Sequence, residues 1–373
     1  PAVVFILGSL IVVSGLAWLL RSRDELPGDP TLPAAGGPID ELFIYCAAGM
    51  RYPMEEIASQ YKREFGVNVQ LQYGGSNTLL SQIKVADIGD LYLAGDSSYI
   101  QQAVDSGLMN EVFDLANMKP VIAVLKENTS VKSIEDLTSP QHRVCLGNPG
   151  AAAIGKKVRR LLTRSGHWER VNKNVTENGV FKPTVNEVAN DIKLGSVDAG
   201  VIWDATAAQY TELKQVATPE LDAGDARVQM GVLTSTKKPT AALHFARYAA
   251  ARDKGLGIFR EKGFRVVNGD AWAHKPELTF FAGSVNRRAL EPVIQAFESR
   301  EGVKVNTIYN GCGILTAQMK TILETEGSGF PDTYMACDVY YLDAVKELFE
   351  PGIHVSETDI VICVQKGNPK NIH

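Results

Sequence analysis

The sequence predicts an α/β chain built on parallel sheets, and three observations predict it. Strands alternate with amphipathic helices along most of its length, the strands end at glycine-rich turns that open helices, and one such stretch is written twice. Residues 41–84 and 277–320 align without a gap at a constant offset, with Arg51/Arg287, Gly66/Gly302, Tyr73/Tyr309, Gly75/Gly311, Gln82/Gln318 and Lys84/Lys320 identical. That is duplication, and a functional reading has to account for it.

Each copy opens with a short apolar run, 42–46 or 278–281, followed by small residues and then by apolar positions at helical spacing. Met54, Ile57, Ala58 and Tyr61 in the first copy, and Leu290, Val293, Ile294 and Phe297 in the second, predict a helix with these side chains turned inward. Gly66 and Gly302 stand where a helix end takes a left-handed residue, and the alternating stretches 67–73 and 303–309 are strands. A second helix opens after 74–77 or 310–313. Two helix N-termini per copy could thus face one point, where free N–H groups and the helix dipoles make an anion site without a formal charge.

With 45% hydrophobic and 22% charged residues, 373 positions describe two or three folded domains. A net charge of −5 gives no basic footprint for nucleic acid. The cysteines (Cys46, Cys145, Cys312, Cys337, Cys363) are odd in number and form no CxxC; three lie in apolar runs, which predicts buried free thiols. Residues 1–20 read as a transmembrane anchor or a signal: 2–20 are almost unbroken in apolarity, and 19 residues of helix reach roughly 28 Å, close to a bilayer core. A cleaved signal usually has a shorter apolar region. Arg21 and Arg23 would by the positive-inside rule put the following domain in the cytoplasm, but the character of that domain outweighs these two charges. Residues 21–40, rich in Pro, Gly and Ala, are a linker.

After the first copy come a short strand at 90–94, a helix around 100–104, and the continuous apolar run 120–125, expected to be buried in a parallel sheet. The strand 144–146 leads through the turn 148–155 into a helix with Ile154, Val158, Leu161 and Leu162 inward. Thr184 to Glu187 fit a capping box, followed by Val185, Val188, Ala189 and Ile192 on one helical face. A buried strand at 199–203 ends in Trp203, another spans 228–234, and an alanine-rich helix starts at Pro239. Residues 269–276 link this part to the second copy, which reaches 360–365, the counterpart of 120–125, and covers about the first third of what the first contains. The chain therefore reads as a piece of a longer protein.

The order of YCAAGM (45–50), YGGSN (73–77), DLYLAGD (90–96), GNPGAAAIG (147–155), the helix from Val185 and GSVDAGVIW (195–203) resembles the type II periplasmic solute-binding proteins, and most closely the molybdate-binding proteins of ABC importers. The resemblance implies a two-lobed module over 41–268 with crossover hinge strands. Lobe 1 would take 41–121 and 228–268, lobe 2 would take 122–227, and 277–373 would be the first lobe of a second, truncated module. It also implies that a tetrahedral oxyanion sits between helix N-termini and neutral side chains. Carried over, the family's site falls on Gly49, which lacks the family's hydroxyl but keeps the N–H, and on Ser76 with Asn77. It continues through Ala153 and Ile154, where the family's proline is missing, Val185 as a backbone donor, and Trp203 in place of a tyrosine. An indole donates one hydrogen bond and accepts none. In the second copy Cys312 stands where Ser76 does, beside Gly313, and Ser284 lies next to the Gly49 position.

Plainer roles compete for several of these residues. Ser76 suits a helix N-cap, Trp203 suits a core, Lys156, Lys157, Arg159 and Arg160 suit a solvated helix face, and Tyr340 and Tyr341 suit core or surface. Asp90 and Asp332 suit loop amides, and the six histidines show no ligand spacing. No nucleophile elbow, HExxH or P-loop occurs, so no enzyme and no cofactor is expected, and metal enters only as molybdate or tungstate. The expectation is an extracytoplasmic, membrane-tethered solute-binding protein that captures an oxyanion and delivers it to an ABC permease. Sulfate, phosphate or an organic anion on the same fold, or a ligand-sensing module of a membrane signalling protein, are the alternatives.

Overall fold

The structure, a computed structural model, describes residues 41–357 and Lys366. The anchor or signal over 1–20, the linker over 21–40, the strand over 360–365 and Cys363 lie outside these residues. Among the described residues no helix is long and apolar enough to cross a membrane.

In the first sheet, β1 (Glu41–Ala47) lies between β2 (Asn68–Gly74) and β3 (Leu91–Ala94), parallel to both, with α1 (Arg51–Phe65) and α2 (Ser76–Ala86) as the crossovers. Met54, Ile57 and Tyr61 are buried under α1, which ends at Gly66 in the left-handed region, φ 72°. The Asp96 carboxylate caps α3 (Ser97–Asp105) by accepting the Ser98 N–H at 3.0 Å. The chain returns along β4 (Met109–Met118) and crosses at Lys119 into β5 (Pro120–Leu125). Asp204 pins that crossing: the Lys119 N–H donates to its carboxylate at 2.9 Å, and its own N–H donates to the Lys119 carbonyl at 2.8 Å.

The second sheet takes β6 (Val144–Gly147), α4 (Ala153–Arg164), α5 (Trp168–Asn178), β7 (Val180–Lys182), α6 (Val185–Lys193), β8 (Ala199–Trp203), α7 (Asp204–Ala208) and β9 (Leu213–Val216), in the strand order β7-β6-β8-β5-β9. Through α8 (Pro219–Asp222) the chain re-enters the first sheet at β10 (Ala226–Leu233). There α9 (Pro239–Ala250), α10 (Gly255–Glu261) and β11 (Arg265–Val266) complete the order β11-β4-β10-β3-β1-β2. The expectation of parallel sheets holds only in part. β5 is buried as expected but runs antiparallel to β8 and β9, and β10 runs antiparallel to β3 and β4. An unbroken apolar run reports burial on both faces and says nothing about strand direction.

Residues 269–276 are a docked connection. The Trp272 N–H donates to Asp253 at 2.7 Å, and the Trp272 and His274 rings cover Phe65, His244 and Tyr248. Beyond them β12 (Glu277–Gly283), α11 (Arg287–Glu301), β13 (Lys304–Asn310), α12 (Cys312–Glu324), β14 (Thr333–Met335) and α13 (Val339–Asp343) form a second sheet-and-helix unit of order β13-β12-β14. Its register matches that of β2-β1-β3: Glu41 pairs Asn68 as Glu277 pairs Lys304. Gly302 repeats the left-handed helix end at φ 64°, and Arg287 lies over Tyr309 as Arg51 lies over Tyr73. Asp90 accepts the Phe43 N–H at 2.9 Å and Asp332 the Thr279 N–H at 2.7 Å, the loop-amide role expected of both. Tyr340 lies on the surface.

The inward face expected for α11 is not inward, since Val293 is 63% and Phe297 45% exposed. Their counterparts in α1 are sealed by α9 and α10, elements from beyond the first lobe's opening stretch, and the described residues of the second unit include no equivalent. The two units touch at the end of α11, where the Thr240 hydroxyl donates to the Ser299 and Arg300 carbonyls and Arg247 donates to the Glu301 carbonyl at 2.7 Å.

Candidate functional site

Where β1, β2, β6 and the loop before α6 end, the first turns of helices from both sheets meet around a cleft of about 270 Å³, counting the part that opens to solvent. Ala47, Ala48, Gly49 and Met50 line it from the β1 turn, Gly74 to Ser76 from the β2 turn, Ala152 to Ile154 from the start of α4, Thr184 and Val185 from the start of α6, and Trp203 from the end of β8. Of the residues expected at the site, Gly49, Ser76, Ala153, Ile154, Val185 and Trp203 are all brought together here. No lining side chain is charged. N–H groups in a helix's first turn have no intrahelical acceptor, so α2, α4 and α6 present donors from both sides.

Ser76 is not the N-cap. Gly75 holds that position, and Ser76 is the first helical residue, 1% exposed, with its Oγ accepting the Gly95 N–H at 3.1 Å and its carbonyl accepting the Tyr92 hydroxyl at 2.7 Å. Asn77 does not line the cleft: its N–H and Nδ2 donate to the Ala151 and Gly150 carbonyls of the opposite lobe at 3.0 and 2.8 Å. Both donors are spent holding the lobes together. The 148–155 turn is shaped by Asn148, whose Oδ1 accepts the Gly150 N–H at 2.8 Å and whose carbonyl accepts the Ala151 and Ala152 N–H groups. Thr184 caps α6, accepting the Glu187 N–H at 3.3 Å and donating its hydroxyl to the Glu187 carboxylate at 2.8 Å, a variant of the expected capping box. Trp203 is both core, at 2% exposed, and lining.

Two residues near the cleft take places that the sequence did not show. Thr206 lies 1% exposed in α7 with no hydrogen-bond partner for its hydroxyl, 3.7 Å from where a Cβ on Gly49 would sit. The fold thus brings a buried hydroxyl from the other sheet's elements beside Gly49, which has none of its own. Lys157, expected on a solvated face, is buried and pairs with Asp96 across the lobes at 2.6 Å while donating to the Asp225 carbonyl at 2.8 Å. Burial alone would raise the Asp96 carboxyl, but hydrogen bonds from Lys157 and the Ser98 N–H outweigh it and hold the group below the ordinary carboxylate range. Its helix turns the same stretch both ways, so Lys156 reaches outward to the Tyr99 ring and the Ser98 hydroxyl.

The histidines are less scattered in space than in sequence. His244 Nε2 lies 3.1 Å from His274 Nδ1 and its Nδ1 lies 2.6 Å from the Tyr61 hydroxyl, with aromatic rings around them. Among the described residues no group of three His, Cys, Asp or Glu could hold a metal ion. In the second unit Cys312 is buried at the start of α12, while Gly313 and Ser284 are exposed.

The sequence profile of bacterial extracellular solute-binding proteins matches residues 42–265 and again 278–373. The molybdate-binding protein ModA of Mycobacterium bovis is 26% identical over 263 residues, which is 69% of this chain and 95% of that protein. Among solved structures, the periplasmic molybdate-binding protein of Azotobacter vinelandii superposes with a TM-score of 0.54 at 17% identity, over 61% of this chain and all of that one. The sulfate-binding protein SubI of Mycobacterium tuberculosis superposes with a TM-score of 0.53 at 14% identity, over 84% of this chain and all of that one.

Proposed function

Because the chain belongs to the family of bacterial extracellular solute-binding proteins, we propose that its cleft captures a tetrahedral oxyanion of the molybdate and tungstate class and hands it to an ABC permease. The observation that carries this reading is the lining: helix first turns converge from two lobes and no side chain among them is charged. Such a site meets a dianion with fixed N–H dipoles and hydroxyls, and selects it by size and by the cost of removing its water. Gly49, Ala153, Ile154 and Val185 would act through backbone N–H groups, Ser76 and Thr206 through hydroxyls and Trp203 through its indole N–H. Capture proceeds by hinge closure at Lys119, with contacts from both lobes shifting the population to the closed form. In this reading residues 1–20 anchor the module outside the membrane, and 277–373 begin a second module with Ser284, Cys312 and Gly313 at the matching site.

A sulfate-selective site is the second reading, favoured by the fold shared with a sulfate-binding protein. Calorimetric titration of the full chain with molybdate, tungstate, sulfate and phosphate decides between them. Tight binding of molybdate or tungstate over sulfate supports the first, the reverse order supports the second, and no binding of any of the four removes the oxyanion reading.

A further inference from the structure

The second unit differs from the first at three positions that touch one another, and the three changes fit together. In the first unit Ala47, Ser76 and Gly95 meet at the cleft floor, and the Gly95 N–H donates to the Ser76 hydroxyl at 3.1 Å. The strand registers put Gly283, Cys312 and Cys337 in the same three places. The Cys337 N–H donates to Cys312 Sγ at 3.3 Å, repeating the serine's bond, and the two sulfurs lie 2.6 Å apart. The two are free thiols in contact, placed so that only a small approach separates them from a bonded pair. Gly283 makes the room: a Cβ there would lie 2.8 Å from Cys312 Sγ and 3.2 Å from the Cys337 Cβ. Where the first unit carries alanine, the second has lost the one methyl group that the sulfur pair excludes.

We propose that Cys312 and Cys337 are a thiol–disulfide pair that makes the floor of the second unit's site redox-dependent. Oxidation joins the two sulfurs with loss of two protons and two electrons, and the oxidant, a small-molecule or protein disulfide, is cleaved to two thiols. Joined, the pair ties the first turn of α12 to the end of β14 and leaves no S–H to donate at the place where the first unit offers a hydroxyl. Reduced, it restores a weak donor there. Cys337 is exposed to an incoming reagent, whereas Cys46 and Cys145 are buried. Partial desolvation and the hydrogen bond with Cys312 push the Cys337 thiol up to about 11, so the exchange is slow at neutral pH and faster under mild alkali. The inference is independent of which anion the first cleft takes; the family's extracellular setting supplies only a compartment where such oxidants persist.

The test incubates the reduced full chain with oxidised glutathione at mildly alkaline pH, alkylates it under denaturing conditions and maps its peptides by mass with and without reduction. The expected result is one product two hydrogens lighter than the reduced chain, with the Cys312 and Cys337 peptides joined until reductant separates them. Three of the five cysteines then alkylate. Cys337→Ser should yield no such product. Five alkylated cysteines after the incubation, or Cys312 joined to Cys363 or to glutathione in place of Cys337, would overturn the proposal. Because the decisive reading is taken on the unaltered protein, folding of a variant does not enter it.

Discussion

Gly75→Ala separates the closing of the two lobes from their folding. Gly75 has φ −70° and ψ 144°, a backbone that alanine adopts freely. Its missing Cβ would, however, lie 2.5 Å from the Ala151 carbonyl oxygen and 2.7 Å from that of Pro183, both backbone atoms of the opposite lobe. Relaxing the shorter contact to an ordinary separation needs the lobes to part by about 0.9 Å at this point. The same movement stretches the Asn77 N–H to Ala151 bond, now 3.0 Å, and the Asn77 Nδ2 to Gly150 bond, now 2.8 Å, beyond useful length. Two neutral hydrogen bonds at about 0.5–1.5 kcal/mol each put the closed form about 1–3 kcal/mol higher, which weakens ligand affinity roughly 5- to 150-fold. Stability should hold or rise slightly, because alanine restricts the unfolded chain by about 0.4–1 kcal/mol relative to glycine. The assay pairs a thermal melt with calorimetric titration of whichever anion the wild type binds. Undiminished affinity would show that closure onto 150–151 is not part of binding, and a melt lowered by many degrees would show that the lobes do not fold independently of their contact.

Thr206→Val replaces a buried, unpartnered hydroxyl with a methyl of the same shape, so the melting temperature should stay level or rise while anion affinity falls about 2- to 10-fold. Equal affinity in the variant would make Thr206 a bystander. His244, desolvated by its aromatic surroundings and flanked by His274 and Arg247, is held down at about 4. A histidine depressed in the folded state binds its proton first in the unfolded one, so stability is full above about pH 6.5 and declines as pH falls from there toward 4. Denaturant melts of the wild type and His244→Gln across that window should show a shallower decline in the variant, and parallel declines would remove His244 as the cause. Because the cleft holds no charged side chain, affinity should change little between low and moderate salt; a steep loss would shift the site toward Lys156 and its basic neighbours.

Most strands and helices were legible in the residue order, because burial and helix starts leave local signals, whereas the individual residues around the cleft came from the resemblance to solute-binding proteins. Apolar spacing found α1, α4 and α6, left-handed glycines marked the ends of α1 and α11, and glycine turns after β1 and β2 marked where helix N-termini would gather. Five strands were missed: β7, β9, β11 and β14 are only two to four residues long, and β4 mixes Asn, Asp and Glu into its run, because it pairs in mid-sheet with β10 while one face meets solvent. What tertiary structure alone decided were the relations between distant residues. Direction in the sheet is set by which strands the hinge returns between, so β5 runs antiparallel despite its apolar run. Whether a polar group is a ligand donor or a clamp depends on what faces it across the cleft, which turned Asn77 into a lobe contact, buried Lys157 against Asp96 and brought Thr206 beside Gly49. The meeting of Cys312 with Cys337 belongs to the same class: two cysteines without any spacing motif become neighbours because β12 pairs with β14 and α12 starts beside them. Periodicity records how each residue meets its own helix or strand, and only the packing of those elements fixes what it meets from the rest of the chain.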